Sequence, residues 1–197
     1  MPDEEDSRPS ATRERSYSGG YMKVGKAGEA ICLSVLAKDP DIELIEDVSN
    51  DLDYQSRGID VRFKLRKDGR WVTAEIKTDN HLDVGRCRWL FEVFRIYLTV
   101  PVDRAMVVGW SVRSEAEWLI CYAPATRRLH FIKMQEYRQA HIEAVSLGKC
   151  EYSAVATDRI KRTLNGYFPE EFVHKQKSYR VQVVPEVFQP DQSGENT

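Results

Sequence analysis

Residues 59–78, IDVRFKLRKDGRWVTAEIKT, leave this chain fewer folds to choose from than any other stretch. On both sides of Asp68 and Gly69, apolar and polar residues alternate with a period of two, the spacing of a strand with one buried face. Asp-Gly suits a tight hairpin turn, because glycine enters positive φ at little steric cost. With Asp68 and Gly69 as the loop, Lys67 pairs with Arg70 and the register follows by counting outward. Ile59, Val61, Phe63 and Leu65 then share one face with Val72, Ala74 and Ile76. Asp60, Arg62 and Lys64 share the other with Thr73, Glu75 and Lys77. A slip of one residue would set one strand's apolar side chains against the other's charged ones, which sheets resist. Asp60 thereby falls opposite Lys77, with Glu75 as its diagonal neighbour. Such neighbours lie within roughly 5 to 8 Å of each other, close enough for two carboxylates to share one cation.

Around this hairpin, a chain of 197 residues, 42% hydrophobic and 30% charged, suffices for one domain with a substantial core. A helix is expected through VGKAGEAICLSVLAK, halted at DPD because Pro40 disfavours helical geometry at Asp39. IELIEDV reads as a strand and residues 49–57 as a loop. RWLFEVFRIYLTV reads as a strand on its aromatic and β-branched content. AMVVGWSV, EWLICYA and RLHFIKM follow as strands, PATRR turns between the last two, and QEYRQAHIEAV is a helix. After Ser146 the only assignable segment is a strand at YRVQVV. The expectation is a single α/β domain over residues 21–187, with a mixed central β-sheet flanked by helices. Residues 1–20 and 188–197 are polar and rich in charge, Ser or Gly, so they are expected to be disordered.

Composition excludes several classes. The net charge of −2 and pI near 6.1 give no global basic signal, so a nucleic-acid contact has to be local. Cys32, Cys87, Cys121 and Cys150 form no C-x-x-C and the histidines no H-x-H or H-x-x-x-H, which argues against zinc and iron–sulfur sites. There is no signal-peptide pattern and no run near the roughly 20 apolar residues of a membrane span. The expectation is a soluble cytoplasmic protein with no membrane partner and reduced thiols.

On the first helix, Glu29 shares a stripe with Gly25, Cys32, Leu33 and Leu36, so this carboxylate lies toward the apolar side. A charge placed there wants a cation, a metal or a backbone donor, since burying it unpaired is costly. Taken alone, Glu29 reads equally as a helix-edge residue, and Asp60 and Glu75 as members of a wet sheet face. The joint order is more informative. GKAGEA, then RGIDV at a strand start, then AEIKTD at the end of its hairpin partner, resembles the PD-(D/E)XK nuclease superfamily. KTDN, WLFEVFRI, and GWSVRSEAEWLICYAP with LHFIKMQEYR look similar to its phage-borne and mobile-element branches.

The resemblance implies a restriction-endonuclease-like core and a DNA phosphodiesterase dependent on Mg²⁺, with Mn²⁺ as a substitute. By resemblance the catalytic set is Glu29, Asp60, Glu75 and Lys77: Asp60 and Glu75 bind the metal, Lys77 orients the attacking water, and Glu29 supports the site. The Ile76 carbonyl, between the two motif residues, is the natural third donor, because magnesium takes hard oxygens and keeps several waters. Glu92, in WLFEVF, is an additional candidate if its segment is the adjacent strand. DNA is the implied partner, reached through Arg57, Arg62, Lys64, Arg66, Lys67, Arg70 and Lys77, with RCR, DRIKR and HKQK adding local charge. Trp71, Trp89, Trp110 and Trp118 read as packing residues rather than base platforms. Three alternatives stay open: a Holliday-junction resolvase-type nuclease working as a homodimer, a non-catalytic DNA- or protein-binding member of the fold, and a scaffold whose charged hairpin face is only solvated.

Overall fold

The computed structural model describes residues 11–80, 82–83, 88–97, 106–156 and 161–185. The first element is helix α1 (Ala11–Leu36), which buries Ile31, Cys32, Val35 and Leu36 at helical spacing. It begins within the polar stretch rather than at Val24, since Ala, Arg and Glu in its first turns are good helix formers. Residues 1–10 and 186–197, where the rest of the expected disorder falls, lie outside the described residues. The helix stops as expected before Pro40, where the Asp39 carboxylate accepts the Asp41 amide at 2.9 Å.

Strands β1 (Ile42–Asp47), β2 (Val61–Leu65), β3 (Trp71–Thr78), β6 (Trp118–Ala123), β7 (Arg128–Lys133) and β10 (Arg180–Val183) form a mixed sheet in the order β1-β2-β3-β6-β7-β10. All its pairings are antiparallel except β3 with β6, which run parallel. The chain between those two builds β4 (Arg88–Tyr97), β5 (Met106–Val108) and the short helix α3 (Trp110–Arg113). A second, antiparallel sheet follows the order β5-β4-β9-β8, completed by β8 (Glu151–Ala156) and β9 (Lys161–Pro169). Helices α2 (Leu52–Ser56), α4 (Met134–Ser146) and α5 (Glu171–His174) complete the described elements.

The six-stranded sheet is covered on both faces. One face packs Val61, Phe63, Val72, Ala74, Ile76 and Ile120 against α1. The other packs Leu119, Cys121 and Ile132 with Trp89, Phe91 and Phe168 of the second sheet and Tyr137, Ala140 and Ala144 of α4. A mixed α/β architecture is therefore what forms, with the second sheet as the addition.

Several expectations need correction. The hairpin loop is four residues, 66–69, because Leu65 donates to Arg70 and Gly69 N–H reaches back to the Leu65 carbonyl. Gly69 sits at φ 69°, while Asp68 is not in the positive-φ region that a type I′ turn requires of both residues. Its carboxylate instead accepts the Arg70 amide at 3.1 Å. The register consequently moves by two residues, with Val61 opposite Ala74 and Arg62 opposite Thr73. A shift of two preserves every strand residue's face, but it puts Asp60 beside Glu75 rather than Lys77. Ile59, which precedes the strand, joins the opposite core cluster from Val61. The loop expected at 49–57 contains α2, whose N-cap Asp51 accepts the Asp53 amide. Only β5 forms from AMVVGWSV, and its remainder turns into α3.

Candidate active site

Strand β2 stops pairing with β3 at Val61, while β3 runs on to Thr78 beside β6. Past that point the outer edge of β3 carries an unpaired peptide, and Asp60 supplies what the missing strand does not. Asp60 N–H donates to the Ala74 carbonyl at 3.0 Å, and Ile76 N–H donates to Asp60 Oδ2 at 2.7 Å. The Ile76 carbonyl on the same edge accepts from Lys77 Nζ at 3.0 Å. The ammonium also pairs with Glu75 Oε1 and lies 3.8 Å from Asp60 Oδ2. Asp60, Glu75, the Ile76 carbonyl and Lys77 are thus brought together, their oxygens converging on one cation.

Burial sets the electrostatics. Glu75 is 3% exposed, and its Oε2 is buried with no hydrogen-bond partner among the described residues. Loss of solvent pushes its carboxyl up to about 7, against the pull of Lys77 and with the push of Asp60. Burial works to lower Lys77, but Glu75 and Asp60 together outweigh it and hold its pKa above the ordinary lysine value. The pair therefore reads as a charged lysine beside a carboxylate that ionises near neutrality.

Two segments not anticipated from sequence wall the site. Gly58 sits at φ 64°, and a Cβ there would lie 3.1 Å from the Ser114 Cα and 3.4 Å from Glu75 Oε2. The Ser114 hydroxyl donates to the Gly58 carbonyl at 2.7 Å, Glu115 N–H donates to the Arg57 carbonyl, and Arg57 pairs with Glu115. Helix α3, held between these contacts and β4, sets the Trp110 ring 5.3 Å from Lys77 Nζ and brings the Arg113 charge within electrostatic reach of Glu75. These contacts join segments some 56 residues apart and leave no local pattern to read. The G of RGIDV was the one available signal.

Among the described contacts, Glu29 does not join the cluster. Its carboxylate, 25% exposed, flanks the buried stripe and pairs with Lys26 at 2.7 Å rather than with Asp60, Glu75 or Lys77. Glu29 and Asp60 both act electrostatically on Lys26 and on the buried Cys32 thiol, so they flank the same rim of the sheet. Glu92 lies on β4, in the second sheet and not on the strand beside β3. It is 8% exposed, pairs with Arg95 at 2.7 Å, and accepts the Trp110 amide at 3.3 Å, an anchor for α3. Gly109 allows this approach, since a Cβ there would lie 2.2 Å from the Glu92 carbonyl oxygen.

The basic hairpin is mostly self-neutralised. Arg62 pairs with Glu46, Lys64 with Glu43 and Arg70 with Glu117, while Arg66 donates to the Pro40 and Ile42 carbonyls. Arg88 of RCR pairs with Glu151, and Lys175 of HKQK with Glu143. Arg86, Cys87, and Asp158 to Ile160 of DRIKR lie outside the described residues. Among the described residues no group of three or more His, Cys, Asp or Glu is placed to hold a metal, and no helix is long and apolar enough to cross a membrane. No protein-family model, curated protein or solved structure matches this chain.

Proposed function

We propose that this chain is a metal-dependent deoxyribonuclease of the PD-(D/E)XK type, with a restriction-endonuclease-like core, acting at the Asp60–Glu75–Lys77 cluster. One observation carries the reading: a buried carboxylate with an orphaned oxygen, a second carboxylate and a strand-edge carbonyl all converge on a single cation. A sheet face that was merely solvated would leave Glu75 in water, where it costs nothing, and not bury it with Oε2 unpaired.

The donor set fits a hard divalent cation. Asp60, Glu75 and the Ile76 carbonyl would hold Mg²⁺ or Mn²⁺, few enough protein oxygens for waters and a phosphate to fill the remaining positions. When bound, the ion supplies a more acidic water and charge neutralisation at the phosphate. Lys77, held protonated by its carboxylate neighbours, donates hydrogen bonds to the attacking water or to a non-bridging phosphate oxygen as negative charge grows there. Asp60 accepts the Ile76 amide on the same strand edge from which the Ile76 carbonyl faces Lys77. Glu29 and its ion-pair partner Lys26 form the outer rim, where the exposed Lys26 offers its charge to the flanking phosphate.

The test is incubation with supercoiled, linear, single-stranded and four-way-junction DNA in Mg²⁺, Mn²⁺ or EDTA, beside Lys77→Ala. Cutting that needs the metal and disappears in the variant is the expected result, and preference for the junction would select the resolvase-type alternative. Failure to cut any of these substrates with either metal rejects the enzyme in favour of a binding protein.

A further inference from the structure

Lys77 belongs to two neighbourhoods. On one side are the oxygens just described, and on the other a cavity of about 180 Å³ whose lining includes Gly25, Asn80, Trp89, Leu90 and Trp110. That is room for about six water molecules, the space of one small heterocycle, and less than the roughly 300 Å³ at which pockets for drug-sized ligands begin. Trp89, Leu90 and Trp110 give it apolar walls, while Lys77, Thr78, Asp79 and Asn80 line its polar side. Trp110 stacks on Tyr137 behind it, at 6.1 Å and 5° between planes, so the indole is held rigidly. Trp89 is 2% exposed, and its indole N–H is buried without an acceptor among the described residues. Its ring is packed against His130, Tyr137 and Tyr179, so the indole forms a fixed wall of the cavity.

We propose that the cavity receives one unpaired nucleobase of the strand being cut, lodged against the Trp110, Trp89 and Leu90 walls. The proposal rests on the phosphodiesterase reading and narrows its substrate to single-stranded or locally unpaired DNA. A phosphate bound at Lys77 leaves the attached nucleoside next to the cavity, since Lys77 is among its lining residues and its ammonium lies 5.3 Å from the Trp110 ring. A base inside a duplex is paired and stacked, and has to leave the helix to enter a recess of this size. The surroundings agree with this choice, because the hairpin cations that would track a duplex backbone are mostly occupied by carboxylates.

Gly25 supplies the discriminating variant. It lies within α1 among the residues lining the cavity, and a Cβ there meets nothing within 4 Å, so Gly25→Leu is the chosen plug, with far-ultraviolet circular dichroism checking that the fold is kept. In EDTA, binding of the full chain to a labelled oligothymidylate is compared with an abasic strand of equal length and with the paired duplex, by fluorescence anisotropy. The base-bearing strand is expected to bind about tenfold tighter than either. Gly25→Leu, with Leu90→Trp as a second plug, brings that affinity down to the abasic level. Equal affinity for base-bearing and abasic strands overturns the proposal, as does a preference that survives both plugs. If metal-dependent cutting persists in that case, the cavity inference falls and the nuclease reading stands. If the base preference is found and no substrate is cut, the nuclease reading falls and the cavity remains a base-binding site.

Discussion

Replacing Glu75 by Gln should make the metal-free protein more stable at pH 8, although it removes half of a salt bridge. In the unfolded chain the carboxyl ionises near its ordinary value of 4.5, whereas burial raises it to about 7 in the folded protein. At 1.36 kcal/mol per pH unit, that difference disfavours the folded state by about 3 kcal/mol once pH exceeds both values. The direction is fixed by the sense of the shift. Below pH 4.5 the carboxyl is neutral in both states and costs nothing; stability then declines as pH rises toward 7 and levels off beyond it. Glutamine stays neutral throughout, so the variant should lead by about 3 kcal/mol at pH 8 and by nothing at pH 4. For a chain of this size the lead corresponds to roughly 6 to 12 °C in melting temperature. Lys77, raised above its ordinary value, contributes stability that is lost only in strong alkali, outside this window. His130 and His141, lowered by burial, weaken both proteins alike as pH falls through 6.5. Thermal melts in EDTA at half-unit pH steps provide the measurement. A Gln variant no more stable than the parent at pH 8, or a lead that does not close on acidification, would refute the reasoning that Glu75 is held charged at a cost to the fold.

Further outcomes follow from the same contacts. Lys77→Ala should abolish metal-dependent DNA cutting while leaving the far-ultraviolet circular dichroism unchanged, and cutting at the parental rate would remove Lys77 from the chemistry. Gly58→Ala forces a side chain into positive φ against Ser114 and should cost about 1 to 2 kcal/mol in urea unfolding. Gly109→Ala meets the Glu92 backbone and should cost about 1 to 3 kcal/mol by the same assay, with Trp110 fluorescence reporting the displaced α3. Tyr179→Phe withdraws the hydroxyl from His130 Nδ1, 2.9 Å away, while His130 Nε2 keeps Asp83. About 1 kcal/mol and faster amide exchange around Asp83 are expected.

What the sequence discloses depends on how local the determining contacts are. The alternation in residues 59–78 identified both hairpin strands and every strand residue's face, because a pleat repeats every two residues whatever the fold around it. It did not disclose the loop length: Asp68-Gly69 suits a two-residue turn, but the Asp68 side chain stabilises a four-residue one. Strands β8 and β9 escaped notice because Asn165 and Gly166 interrupt the alternation in KRTLNGYFP, and their burial is decided by β4, far off in sequence. Asp60, Glu75 and Lys77 were legible as neighbours since one hairpin carries them. Glu92 was legible only as a charge in an apolar strand, and its role as the anchor of α3 needs the tertiary structure.

The second sheet is stitched from two distant pieces of chain, β4 pairing with β9 from Arg88 opposite Pro169 to Tyr97 opposite Lys161. During synthesis the hairpin with Asp60, Glu75 and Lys77 emerges first, and the strand that buttresses Trp89 and Leu90 leaves the ribosome well after it. A nascent or C-terminally clipped chain would therefore carry the charged cluster without a finished aromatic wall beside it. Such long-range pairing closes slowly, so that wall should be the last part of the molecule to set.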